Sequence, residues 1–150
     1  PDEFNRYARG LDYGHPFITG LGLPRPEFAG RDDVLELVRN NTPPVWSFGA
    51  HNAPNGWTFA EKDTLGLKGD AIIAFHGSWN ATRKVGYKIS RVCFDPATGR
   101  PYGELPLVVT INDSGSEVMA RPVDVVETPA GDLLFSDDTK HRIFRISKGE

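Results

Sequence analysis

The chain has little of what ties a small protein together covalently. Cys93 is its one cysteine, so no internal disulfide forms. Set between Val92 and Phe94, it reads as a buried structural thiol rather than a reactive one. No apolar run approaches the roughly 18 residues of a membrane helix, and these residues include no signal peptide, which a piece of a longer protein could have lost. Helix signals are scarce. Residues 31–38, Arg-Asp-Asp-Val-Leu-Glu-Leu-Val, are the one helix-like stretch, and Pro43-Pro44 limits it to a turn or two. A net charge of -3 gives no general pull toward nucleic acid or anionic membrane. No His/Cys cluster has zinc spacing, so no metal site is expected. Gly20-Leu21-Gly22 is not followed by a helix and is no phosphate loop. Ser78, His76 and Asp137 could form a Ser-His-Asp set, but no nucleophile elbow accompanies them.

What is present is ordinary for a globular domain: 150 residues, 39% hydrophobic and 25% charged. That length supports a real core. The chain opens at Pro1 without an initiator Met or a capping or strand signal, so a piece of a longer protein is expected. Residues 1–30 are rich in Gly, Pro and aromatics and read as ordered irregular loop, with Tyr13 and Phe17 as anchors. From residue 45 the texture changes to strands and turns. Strands are expected at 57–59, 71–75, 87–94, 105–111, 122–127, 132–136 and 142–146.

Two halves repeat. Gly69-Asp70 followed by Ala-Ile-Ile-Ala-Phe returns, 62 residues later, as Gly131-Asp132 followed by Leu-Leu-Phe-Ser-Asp. The alternating strand at 87–92 ends in Arg91-Val92, and its counterpart at 141–146 ends in Arg145-Ile146. Repeats of that length with three or four strands each suggest propeller blades; two hairpins in a sandwich are the alternative. The expected architecture is all-β: about two to three four-stranded blades of a six-bladed antiparallel propeller. Residues 1–44 would be a loop-rich lead-in, 45–111 one blade, and 112–150 a last, incomplete blade.

In a meander, the start of one strand and the end of the next share an edge. His51-Asn52 would then share a face with the loop from His76 to Asn80, and Arg121 with Asp137-Asp138. Plain turns would take the other face. Polar chemistry gathered at one face suggests a funnel-mouth site. Each residue also has a bland reading. His76 could be a hydrogen-bonded structural histidine, and His15 and His141 structural or exposed. Trp79 could be a packing anchor, and Asp137 and Asp138 could satisfy turn donors. Arg121 precedes Pro122, which holds its backbone extended, so it could clamp an anion or make a rim salt bridge.

At these residues the chain resembles the C-terminal part of the soluble sugar dehydrogenases dependent on pyrroloquinoline quinone (PQQ). The branch is that of the sorbosone and pyranose dehydrogenase-like proteins. The likeness rests on Pro1-Asp2-Glu3-Phe4-Asn5 with Asp12-Tyr13-Gly14-His15-Pro16, on His76-Gly77-Ser78-Trp79-Asn80 after Gly69-Asp70, and on Gly86-Tyr87-Lys88 with Arg91-Val92. It continues through Arg121-Pro122-Val123-Asp124-Val125 and from Gly131 to Asp138, and ends at Arg142-Ile143-Phe144-Arg145-Ile146.

The resemblance implies a propeller that holds PQQ at its mouth, with calcium, and passes hydride from a sugar to the quinone. It implies cofactor contacts at His76, Trp79, Asn80 and Arg121, with His51, Asn52, Asp137 and Asp138 lining the pocket. The general base and main calcium ligands would lie upstream of this chain. Partners would be a sugar and an electron acceptor, in an extracellular or periplasmic setting. The fragment alone would lack activity. Val123 stands where glucose dehydrogenases have a second arginine, and the loop at 76–80 lacks their lysine. A non-catalytic binding module that kept the propeller is therefore the alternative. Asn40, Asn80 and Asn112 each head an N-x-Ser/Thr triplet, and a glycan at Asn80 would obstruct a cofactor. The last strand, 143–146, would be an open edge, awaiting the N-terminal blades or pairing with another copy.

Overall fold

The computed structural model describes residues 1–149. It divides into two compact units, residues 1–50 and the stretch from His51 onward. In the first unit, β1 (Asp2–Phe4) pairs antiparallel with β4 (Trp46–Phe48), and β2 (Ile18–Thr19) with β3 (Leu23–Pro24). These strands are too short to show alternation, and the sequence there reads as loop. Residues 46–48, grouped with the blade at 45–111 by sequence, pair with residues 2–4 instead. Helix α1 (Val34–Asn40) ends before Pro43-Pro44, as the imino rings require. The Phe17 ring meets Phe28 edge-on at 5.1 Å, with the Arg31 guanidinium over it at 4.7 Å. The Tyr13 hydroxyl donates to the Arg6 carbonyl at 2.9 Å. Both aromatics therefore pin the loop-rich segment.

The second unit holds two antiparallel sheets. One has four strands in sequential order: β5 (Pro54–Phe59), β6 (Ala71–Phe75), β7 (Lys88–Phe94) and β8 (Pro101–Val109). The other has three: β9 (Pro122–Glu127), β10 (Leu133–Asp137) and β11 (Arg142–Ile146). Every residue of β6 is buried, which explains its unbroken apolar sequence. β8 starts earlier than its β-branched residues suggest. The turn from Asp95 closes by the Asp95 N–H on the Arg100 carbonyl at 2.9 Å, so pairing begins at Pro101. Pro101 and Pro106 are tolerated because β8 lies at the sheet edge.

The core lies between the two sheets. Ile72, Ala74 and Ile89 of the first sheet meet Val125, Leu133 and Phe135 of the second, closed by Ala60 and Leu67. The Phe135 and Phe144 rings stack at 4.9 Å. Each fully buried Ile or Leu contributes roughly 1.5–3 kcal/mol. The sheets come closest where β5 passes β9. A Cβ on Gly56 would fall 2.5 Å from the Cα of Asp124 and closer still to its carboxylate. Only a residue without a side chain lets these backbones meet.

The sequence repeat proves to be a repeated ion pair. Asp70, just before β6, pairs with Arg91 of β7. Asp132, before β10, pairs with Arg145 of β11, whose Nε donates at 2.9 Å. Gly69 and Gly131, just ahead of these aspartates, both adopt positive φ, 91° and 88°. This end is also stitched between sheets. The Glu127 carboxylate accepts from the Glu61 and Lys62 amides at 2.9 and 3.1 Å, and the Thr64 hydroxyl donates to the Ala130 carbonyl at 3.0 Å.

Gly56→Ala is expected to cost about 2–3 kcal/mol by forcing the sheets apart, as overpacking does; equilibrium denaturation checks it, and wild-type stability would refute the contact. β11 ends its sheet with Ile143 73% exposed. Such an edge favours pairing with another chain. The isolated chain is expected to self-associate as its concentration rises, measured by light scattering; a monomer throughout would refute this.

Candidate functional site

Pairing register brings the polar loops to one edge. Pro54 at the start of β5 lies opposite Phe75 at the end of β6, and Pro122 at the start of β9 opposite Asp137 at the end of β10. The loops at 51–53, 76–87, 110–121 and 138–141 therefore leave their sheets on the same side. Among the described residues, the four non-glycine residues with positive φ sit in these loops: His51 (66°), Ala53 (51°), Tyr87 (54°) and His141 (52°). Such backbone is strained outside glycine, and its concentration marks this end as the built one.

The loop after β6 is fixed at nearly every polar atom. The His76 and Gly77 amides donate to the carbonyls of Ala53 and Asn52 at 2.9 and 3.1 Å. The Ser78 amide donates to the Val85 carbonyl at 2.9 Å, and its hydroxyl accepts from the Val85 amide at 3.1 Å. The Tyr87 hydroxyl donates to the Ser78 carbonyl. Its ring lies against Gly77, where a Cβ would come within 2.6 Å. Gly86 is packed as closely, with space for a Cβ blocked by the Asn52 carbonyl at 2.6 Å. Two glycines at positive φ thus let the two arms of the 76–87 loop run in contact with each other and with the loop at 51–53.

Arg121 joins the two sheets at this edge. Its Nε and Nη2 donate to the carbonyls of His76 and Gly77 at 3.3 and 2.9 Å, and its guanidinium lies 5.6 Å over the Tyr87 ring. Among the described residues its guanidinium makes neither the rim ion pair nor a hydrogen bond to a carboxylate, and its Nη1 has no hydrogen bond. Asp138, 57% exposed, takes the second bridge: His76 Nε2 lies 3.2 and 3.1 Å from its two oxygens. The carboxylate partner of His76 is thus Asp138 and not Asp137, and the Ser78 hydroxyl faces Val85. No Ser-His-Asp relay is assembled.

Asp137 is buried and structural in its contacts. It accepts from the Arg121 and Thr139 amides at 2.9 and 3.2 Å and from Arg142 Nη2 at 3.2 Å. Burial alone would raise its pKa. The Arg121 amide, the Arg142 guanidinium, the Thr139 amide and the Arg142 charge outweigh burial and hold it below the usual value.

A family model described as TrAA12-like matches residues 25–149. The chain belongs to the TrAA12-like family. Three relatives illustrate the match. A Trichoderma reesei protein of Carbohydrate-Active Enzymes family AA12, in its iodide structure, is 24% identical with a TM-score of 0.73, over 93% of this chain and 40% of that one. The holo PQQ domain of a pyranose dehydrogenase from Coprinopsis cinerea is 22% identical with a TM-score of 0.70, over 93% and 41%. An uncharacterized protein from Borreliella burgdorferi (strain ATCC 35210 / DSM 4680 / CIP 102532 / B31) is 28% identical over 152 residues, covering 97% of this chain and 38% of its own length. The chain therefore spans about two fifths of these relatives. The four- and three-stranded sheets are β-propeller blades, which rules in favour of the propeller over the sandwich.

In this TrAA12-like chain, the sequence-picked residues divide. His76, Arg121 and Asp138 are in direct contact, and the Asn52 carbonyl supports the loop. Trp79 projects from the braced loop with 85% of its surface exposed, so it is no packing anchor. Asn80 and His51 are exposed as well. Sequence reasoning missed Tyr87, Gly77 and Gly86 as braces, and Arg142, which ties Asp137 to the Met119 carbonyl at 2.6 Å. The glycine pair flanking the loop was the available signal; which ring the glycines admit was not encoded locally. Among the described residues, no helix is long and apolar enough to cross a membrane.

The depressed Asp137 value has a sign. Its stabilisation is full above the unfolded carboxyl value, about 4, and is lost as pH falls through the lower folded value. Asp137→Asn is expected to be clearly less stable than wild type at pH 7, with the gap closing below about pH 4. Denaturant titrations across pH check this, and a gap that widens in acid would refute it.

Proposed function

We propose that this chain forms one side of the PQQ-binding mouth of a sugar-oxidising quinoprotein. The observation that carries the reading is Arg121: a half-buried cation between two blades at the loop-rich edge, with Nη1 uncommitted, in a TrAA12-like chain. PQQ is a carboxylated quinone, and a guanidinium with a free amine fits one carboxylate. Bound PQQ would supply hydride acceptance from the sugar carbon. The chain's residues would hold and orient it: Arg121 on a carboxylate, His76 and Asn80 by hydrogen bonds, and Trp79 by its exposed ring. His51 and Asn52 would line the rim, with Asp138 beside His76 and Asp137 beneath.

The donor set does not extend to calcium. Among the described residues, no three His, Cys, Asp or Glu side chains converge. On this reading calcium's main ligands, and the base for the sugar, belong to the remainder of the longer protein. So does half of the pocket. The partners are a sugar and an electron acceptor, in an extracytoplasmic setting. A second reading, a propeller that kept the fold without the cofactor, is favoured by one fact: Arg121 spends two donors on backbone carbonyls.

Titration of the full-length protein with PQQ in excess calcium, followed by tryptophan fluorescence, separates the two. Saturable binding is expected, and its absence gives the second reading. Arg121→Ala is expected to weaken binding at least tenfold, roughly 1.4 kcal/mol. Because Arg121 also braces the loop, Trp79→Ala is the cleaner partner variant. It is expected to leave the melting temperature unchanged and still weaken PQQ binding. Unchanged affinity in both variants would remove the assignment.

A further inference from the structure

Residues 79–84 form the tip of the loop after β6, closed at its base by the two hydrogen bonds between Ser78 and Val85. One arm of the tip carries Trp79 and Asn80. The other carries Arg83 and Lys84, both exposed. This second arm shares a cavity of about 470 Å³ with the turn that follows β8. Arg83 and Lys84 line it from the loop, Asp113 and Ser114 from the turn, together with Val109 and Ile111. Its volume falls within the roughly 300–1,000 Å³ of small-molecule sites.

The turn is a fixed wall. Asn112 Oδ1 accepts from the Glu117 amide at 3.1 Å, its Nδ2 donates to the Ser116 hydroxyl at 3.0 Å, and Ile111 bridges to Val118. The Thr110 amide donates to the Tyr87 carbonyl at 2.8 Å, so the turn is anchored to the residue that braces the loop. Asn112 is consumed by this wall. Arg83, Lys84 and Asp113 are not: among the described residues, none of their side chains makes an ion pair or a hydrogen bond.

We propose that this cavity binds an acidic saccharide, a sugar ring that carries a carboxylate. Two cations against one carboxylate leave a surplus of positive charge, which selects an anion. A guanidinium meets a carboxylate through two parallel N–H groups, and the Lys84 ammonium adds a point charge beside it. Asp113 narrows the choice. An ionised carboxylate only accepts, so the ligand must also bring hydroxyl donors. The same charge repels a bare polyanion. A zwitterionic amino acid satisfies Asp113 but leaves the surplus cation unanswered. Val109 and Ile111 offer apolar surface to the C–H face of a ring. The site stands without the proposed function. That it also selects the sugar to be oxidised, being on the same tip as Trp79, rests on that reading.

Binding is read by calorimetric titration of the full-length protein without PQQ. Methyl β-D-glucuronide is expected to saturate and to bind about tenfold tighter than methyl β-D-glucoside, acetate or glycine, and to weaken as salt rises. Arg83→Gln with Lys84→Gln is expected to remove that preference at an unchanged melting temperature, since both side chains are exposed. Asp113→Asn is expected to weaken the glucuronide and tighten acetate. No saturation, or glucuronide binding untouched by the double variant, overturns the site. Glucoside, acetate or glycine bound as tightly as the glucuronide overturns the saccharide assignment, as does Asp113→Asn tightening both anions. With PQQ bound, D-glucuronate is expected to show a lower KM than D-glucose, and the double variant to close the gap without changing PQQ affinity. Equal KM values in the wild type, or no turnover of glucuronate, overturn the selection of substrate. Failure of PQQ to bind the wild-type protein sinks the proposed function and leaves the glucuronide result standing.

Discussion

Everything at the loop-rich edge depends on how closely β5 runs past β9. The missing side chain at Gly56 lets backbone meet backbone beside Asp124. That contact sets the spacing of the sheets, and Ile72, Ala74, Val125, Leu133 and Phe135 fill what remains. With the spacing fixed, antiparallel pairing decides the rest. The start of β5 and the end of β6 stand level with the start of β9 and the end of β10. Side chains from neighbouring blades then reach one another across about 3 Å, as His76 and Asp138 do.

The two ends of the sheets are held by different means. At the plain end the ties recur: Asp70 with Arg91, and Asp132 with Arg145, each aspartate following a glycine at positive φ. These pairs lie at the boundary of water and core, where an aspartate serves its strand as much by order as by energy. At the other end nothing recurs. The first blade gives a histidine, two glycines and a tyrosine; the second gives an arginine and two aspartates. Among the described residues, positive φ outside glycine is confined to that end. A regular end that stabilises and an irregular end built of loops is the division seen where loops stand on a rigid scaffold.

The sequence carried most of the second unit. β9 and β11 lie where alternation places them, because their outer faces are wet and their inner faces dry. The Gly-Asp repeat gave the blades their period. The shared face followed from connectivity alone. Less was legible where contact matters more than pattern. Strands of two or three residues in the first unit leave no period to read. Arg121 looked like a clamp for an anion, and its two backbone acceptors lie 44 and 45 residues earlier. Asp138, not Asp137, meets His76 because alternation turns one carboxylate inward to the amides and leaves the next outside. Neighbouring identical residues hide that difference in a one-dimensional reading.

His76 and Asp138 stand 62 residues apart, which is the period of the repeat itself. They are the same position in successive blades. A repeat architecture sets equivalent positions side by side at every junction, so a duplicated residue meets its own copy. Once the copies diverge in kind, a proton donor and its acceptor become neighbours without any change of backbone. Chemical asymmetry is thus obtained from structural symmetry, and the junction between blades is where such pairs arise.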